Sequence, residues 1–155
     1  RTNFRSNLEK VVAEVLTATL ISWKHESEKL KYIIPTNKHT YIPDFFLKKY
    51  PELILEAKGI FSSQDRKKML LIKEQYPTRK IVMLFGRAQN LIRKGSKTTY
   101  ANWCDKNEIN WIDLKDFKRN PKECLLTIMK KTKNGLQKTL PKMKRTPLSK
   151  LVKQL

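Results

Sequence analysis

One segment limits the possible folds more than any other. Leu53-Ile54-Leu55-Glu56-Ala57-Lys58 is a short apolar run closed by Gly59, and Ile81-Val82-Met83-Leu84-Phe85 is a second such run. Between them Ser62 offers a helix cap, Met69, Leu70 and Ile72 provide an inward face through about Tyr76, and Pro77 stops the helix. Continuous apolar strands are buried on both faces, and two of them joined by a helix run parallel in one sheet. The pattern therefore predicts a strand–helix–strand unit over residues 53–85. A helix over about 98–107 and a short strand over 109–113 are expected to follow. Upstream, Phe4, Leu8, Val11, Val12, Val15 and Leu16 recur at three- and four-residue spacing, which predicts an amphipathic first helix. Residues 30–34 and 40–47 read as strands parted by the polar turn Thr36-Asn37-Lys38. The fold class is α/β, with a mixed central sheet flanked by helices.

The same segment carries the chemistry. Side chains alternate along a strand, so Glu56 and Lys58 share one face while Leu53, Leu55 and Ala57 share the other. Asp44, in Ile42-Pro43-Asp44-Phe45, precedes Glu56 by twelve residues. Burying charge is costly unless it is paired or bound to metal. Two carboxylates brought together are hard ligands suited to Mg²⁺, which keeps waters and accepts phosphate oxygens. A lysine beside them can orient or deprotonate an attacking water. The plain alternative is a solvated Glu56–Lys58 pair on an edge strand, with Asp44 a turn residue after Pro43. The preceding Pro43-Asp44, the apolar flanks and the following helix weigh against it.

Charge narrows the partners. The 155 residues hold 34 Lys and Arg against 14 Asp and Glu, a net charge of +20. Nucleic acid is the first partner to consider, because phosphates reward many basic contacts through counterion release. An acidic membrane surface is the second. The excess is uneven: Cys124 to Leu155 contains no acidic residue and nine basic ones. That shift divides the chain into a domain over 1–120 and a basic tail over 121–155, the tail forming a short helix or two. No run approaches the ~18 apolar residues of a membrane span, and no charged-then-apolar leader opens the chain. A soluble, unexported protein is expected. Cys104 and Cys124, with only His25 and His39 for company, match no zinc spacing and are expected to be reduced. Trp23, Trp103 and Trp111 are expected in the core or an interface.

Pro43-Asp44 followed by Glu56-Ala57-Lys58 resembles the PD-(D/E)XK nuclease motif. Four stretches resemble one family more closely: Phe4 to Glu9, His39 to Phe45, Glu56 to Gly59, and Asp65 to Pro77. Lys94-Gly95-Ser96 and Tyr100 continue the match. That family is phage endonuclease I, the Holliday-junction resolvases of short-tailed phages. The resemblance implies a restriction-endonuclease-like core and Mg²⁺-dependent cleavage of branched DNA, chiefly four-way junctions, with Mn²⁺ able to substitute. It also implies a segment-exchanged homodimer working in the host bacterial cytoplasm, away from membranes.

By the same resemblance Asp44 and Glu56 are metal ligands, Lys58 is the catalytic lysine, and Glu9 is a further catalytic and metal-binding carboxylate. Ser6-x-x-Glu9 also fits a helix capping box, and Glu9 lies at the margin of the apolar stripe, so both roles stand open. Where the family carries an acidic residue this chain has Lys24, so either Glu26 or Glu28 substitutes or the role is absent. The connection from Asp44 to Glu56 is longer here, with Lys48-Lys49-Tyr50-Pro51 making a larger turn. Arg5, His39, Arg66, Lys67, Lys68, Arg93, Lys94 and Lys97 collectively suit a groove for DNA backbones, although each alone also fits a solvated charge. Two rivals remain: a nuclease of the same fold acting on duplex DNA for a transposon or restriction system, and a non-catalytic basic nucleic-acid-binding protein.

Overall fold

The two apolar runs pair in parallel at the centre of a five-stranded sheet. In the computed structural model, residues 2–34 and 37–138 are described, with side chains described as far as Lys131. The elements are α1 (Asn7–Ala18), β1 (Trp23–His25), β2 (Leu30–Ile34), β3 (Asn37–Tyr41), β4 (Phe45–Leu47) and β5 (Leu53–Lys58). They continue with α2 (Ser63–Gln75), β6 (Lys80–Phe85), α3 (Tyr100–Lys106), β7 (Asn110–Asp113), α4 (Leu114–Arg119) and α5 (Pro121–Lys138). The main sheet runs β1-β4-β5-β6-β7, while β2 and β3 form a separate antiparallel hairpin. β4 pairs antiparallel with β1 and β5; β6 pairs parallel with β5 and β7. The mixed α/β architecture is the one expected.

β5 is the middle strand, and Leu53 through Ala57 are all buried. An edge-strand, solvated Glu56 is therefore ruled out. β6 is buried along Ile81–Phe85, as a continuous apolar strand requires. Ser62 caps α2 as expected, and its box is complete. Met69 and Ile72 face inward, but Leu70 does not: it is 38% exposed, and Leu71 packs against the core instead. One residue is about 100° of helix, so Leu70 cannot share the face of Met69.

The stretch expected as one strand over 40–47 is two. Tyr41 ends β3 opposite Leu30, and Phe45 begins β4 opposite Leu55. Pro43 has no N–H to give to a ladder, so the chain leaves one sheet and enters the other across Ile42-Pro43-Asp44. β1 and α4 were not anticipated. Both cysteines are free thiols, Cys104 buried. Trp103 and Trp111 pack against the core, and Trp23 meets the ring of Phe45 at 5.6 Å. Among the described residues, those up to Cys124 make one compact unit and those from Leu125 belong to another. α5 starts at Pro121; from Lys133 onward the basic side chains of the tail lie outside the described ones.

Candidate active site

Where β4 follows the Pro43 break, Asp44 lies against β5. Its Oδ2 accepts the Ala57 N–H at 2.9 Å, and its own N–H donates to Glu56 Oε2 at 3.3 Å. The same Glu56 oxygen accepts the Tyr41 hydroxyl at 2.6 Å. One oxygen of each carboxylate is thus held by the fold, leaving Asp44 Oδ1 and Glu56 Oε1 for other partners. Lys58, two residues on along β5, brings Nζ to 3.8 Å from Glu56 Oε1 and 3.1 Å from Asp65 Oδ1. Asp65 acts twice. Its Oδ2 completes the α2 capping box with Ser62, while Oδ1 anchors the lysine.

The electrostatics are those of a site short of positive charge. Burial raises the Asp44 carboxyl to about 6, with Glu9 adding repulsion and the Ala57 N–H and Lys58 opposing. Burial, then the charge of Asp44, raises Glu56 to about 7. Burial would lower Lys58, but Glu56 and Asp65 outweigh it, so the ammonium is held above its usual range. Burial and the Glu56 charge push Tyr41 well above the tyrosine range, which keeps its hydroxyl a neutral donor. Two neighbouring hard carboxylates, each with one oxygen outside these hydrogen bonds, are a donor type that fits a small divalent cation such as Mg²⁺ or Mn²⁺.

A pH prediction follows for the metal-free protein. Both folded-state values lie above those of free carboxylates, so folding takes up protons. The stability this pair contributes is complete below about pH 4 and is lost as pH rises through about 7. Glu56→Gln removes the penalty while keeping the shape. In a chelator its melting temperature should gain on the parent by at least ~3 °C between pH 5 and pH 8. A constant difference across that range would refute the electrostatic description.

Glu9 is 5% exposed, in the first turn of α1. Ser6 caps its N–H, but the reciprocal half of the box is not made: Glu9 Oε2 accepts the Arg5 N–H at 3.4 Å and meets His25 Nε2 at 3.1 Å. The helix is capped by Ser6, and the Glu9 carboxylate is turned to β1, close enough to Asp44 to repel it. Glu9, His25 and Glu26 bring ligand atoms within 4.8 Å of one another. Glu28 is elsewhere, in a two-pronged pair with Arg79 at 2.6 and 2.9 Å. Of the two acidic substitutes considered for Lys24, Glu26 is the one beside Glu9.

The expected DNA contacts divide. Lys68 lies over the Tyr41 ring at 5.1 Å, and its charge acts on Glu56. Arg66 is spent on the backbone, donating to the carbonyls of Phe61 at 2.7 Å and Ile92 at 3.4 Å. Arg5 pairs with Glu26 at 3.1 Å. His39 packs on Tyr32 in the hairpin, with ring centroids 5.5 Å apart. Lys67, Arg93, Lys94 and Lys97 are exposed. Tyr41, His25 and Asp65 were not anticipated as site residues. Only Tyr41 left a signal, since a buried tyrosine hydroxyl demands a partner.

Comparisons with known proteins identify the family. The phage endonuclease I family pattern matches residues 1–141. Over 110 residues, 71% of this chain and 72% of the relative, the sequence is 41% identical to Endonuclease I of Escherichia phage T7. Over another 110-residue match, 71% of each chain, it is 40% identical to Endodeoxyribonuclease 1 of Enterobacteria phage T3. With the family pattern matched over residues 1–141 and two relatives at 40–41% identity, this chain belongs to the phage endonuclease I family.

Proposed function

We propose that the protein is a metal-dependent endonuclease that hydrolyses phosphodiester bonds in branched DNA, chiefly to resolve four-way junctions. The observation that carries this reading is Glu56: a carboxylate 3% exposed on the middle strand, beside Asp44, whose burial and repulsion outweigh the nearby charges of Lys58 and Lys68. A purely structural site would not keep two repelling carboxylates there without compensation. Asp44 Oδ1 and Glu56 Oε1 would hold Mg²⁺ or Mn²⁺, with Glu9 as a further ligand. When bound, the ion supplies Lewis-acid stabilisation of charge on the phosphate oxygens. Tyr41 fixes the Glu56 carboxylate, and Lys58, steadied by Asp65, orients water for attack on phosphorus. Arg5, Lys67, Lys68, Arg93, Lys94 and Lys97 serve DNA backbones around this centre.

Two such sites in a segment-exchanged homodimer would cut opposed strands, and branch shape would set the specificity, since phosphate contacts carry no sequence code. The basic tail over 121–155 would add further phosphate contacts to the nuclease domain. No described helix is long and apolar enough to cross a membrane, and the proposed setting is the host cytoplasm. A labelled four-way junction and its matched linear duplex, incubated with and without Mg²⁺, test the reading. Paired cuts at the junction, requiring Mg²⁺ and with little cutting of the duplex, are expected. Equal cutting of the duplex at a fixed sequence would favour a duplex nuclease, and binding without cleavage a non-catalytic protein.

A further inference from the structure

The parallel strands bring a second feature to the same end of the sheet as Lys58. Lys58 is in register with Phe85, and Phe85 with Asp113. The ends of β5, β6 and β7 therefore form a ledge two strand spacings wide, about 10 Å. Beyond β6 and β7 lies a groove of about 440 Å³ lined by Arg87, Trp111, Asp113, Lys115, Asp116 and Arg119. Its backbone is tied to the catalytic strand. Gly86 N–H donates to the Lys58 carbonyl at 3.2 Å, and Ala88 N–H donates to Asp113 Oδ2 at 2.8 Å. Arg87, between those two anchors, projects from a fixed backbone.

The acidic groups of the groove are already engaged. Asp113 Oδ1 accepts the Lys115 N–H at 2.9 Å and caps α4, while Asp116 pairs with Arg119 at 3.0 Å. Arg87 and Lys115 are exposed and pair with no carboxylate among the described residues. The half-buried Trp111 gives its indole N–H to Asp105 at 2.8 Å and supplies a flat wall. Two unspent cations, with Asp113 engaged by backbone N–H groups and Asp116 paired with Arg119, on a ledge beside the proposed phosphodiester-cleaving centre suit an extended polyanion.

We infer that this ledge is a phosphate-binding track for a duplex arm of the DNA, with Arg87 and Lys115 holding backbone phosphates next to the one being cut. The inference rests on the nuclease reading and extends it to residues that lie outside the carboxylate site.

Binding of a fluorescent four-way junction, followed against KCl concentration with Ca²⁺ in place of Mg²⁺, tests it. Parallel measurements use the full chain, the double variant Arg87→Gln/Lys115→Gln, and a control pair, Lys48→Gln/Lys106→Gln, on exposed lysines outside the ledge. Each lost phosphate contact lowers the slope of log K against log salt by about 1, so the ledge variant should lose about 2 and the control pair none. An unchanged slope in the ledge variant would overturn the track, as would an equal loss in the control pair, which would mean bulk charge alone. Because the unmodified chain is assayed for junction cleavage in Mg²⁺ alongside, failure of the track with cleavage intact is distinct from failure of the nuclease reading.

Discussion

On the proposed reading, Glu56→Ala and Asp44→Ala should each lower junction cleavage on the order of 10³-fold while leaving junction affinity within a few-fold of the parent. The reason lies in how the two carboxylates are held. Tyr41 and the Asp44 N–H fix one Glu56 oxygen, and the Ala57 N–H fixes one Asp44 oxygen. Each side chain therefore keeps one oxygen outside these bonds, which on the proposed reading serves a cation and not DNA. Removing either leaves the basic surface untouched and deletes one negative charge facing phosphate, so binding holds or tightens. Rapid-quench cleavage at saturating enzyme, beside gel-shift titrations in Ca²⁺, separates the two quantities. Near-normal cleavage by both variants would rule out the assigned centre.

The second large effect is at Lys58. Lys58→Met should lose at least ~10²-fold in cleavage, because the lysine paired with Glu56 is removed where, on the proposed reading, charge develops on phosphate. Asp65→Asn should fall between it and the parent. The 3.1 Å contact to Asp65 is lost, yet Glu56 still holds the ammonium from 3.8 Å. Asp65→Asn keeps an oxygen able to cap α2, so single-turnover cleavage should drop without a matching drop in melting temperature. If Asp65→Asn cuts as fast as the parent, the lysine needs no anchor and its assigned posture is wrong.

Some of this was legible from the chain and some was not, for identifiable reasons. The Leu53–Lys58 strand announced itself because charge at alternate positions inside an apolar run has few explanations. The Ser62 cap and the parallel partner at Ile81–Phe85 are local patterns and were equally plain. β1 was not, since Trp23–His25 is three residues long with its middle residue exposed, too short for any alternation to register. α4 is only six residues and is held by the Asp113 cap. The break after Tyr41 was available in principle, because Pro43 cannot join a ladder, but apolar neighbours on both sides masked it. Contacts between distant residues were beyond reach: Glu9 with His25 spans sixteen positions, and Arg79 with Glu28 fifty-one. The choice between Glu26 and Glu28 depended on just such contacts.

The central claim is that Asp44 and Glu56 together hold a divalent cation. Anomalous diffraction from crystals soaked in Mn²⁺ tests it with the least inference. The account predicts a peak about 2 Å from Asp44 Oδ1 and Glu56 Oε1, lost in Glu56→Ala crystals. A peak confined to Glu9, His25 and Glu26, or none beside Glu56, would contradict it.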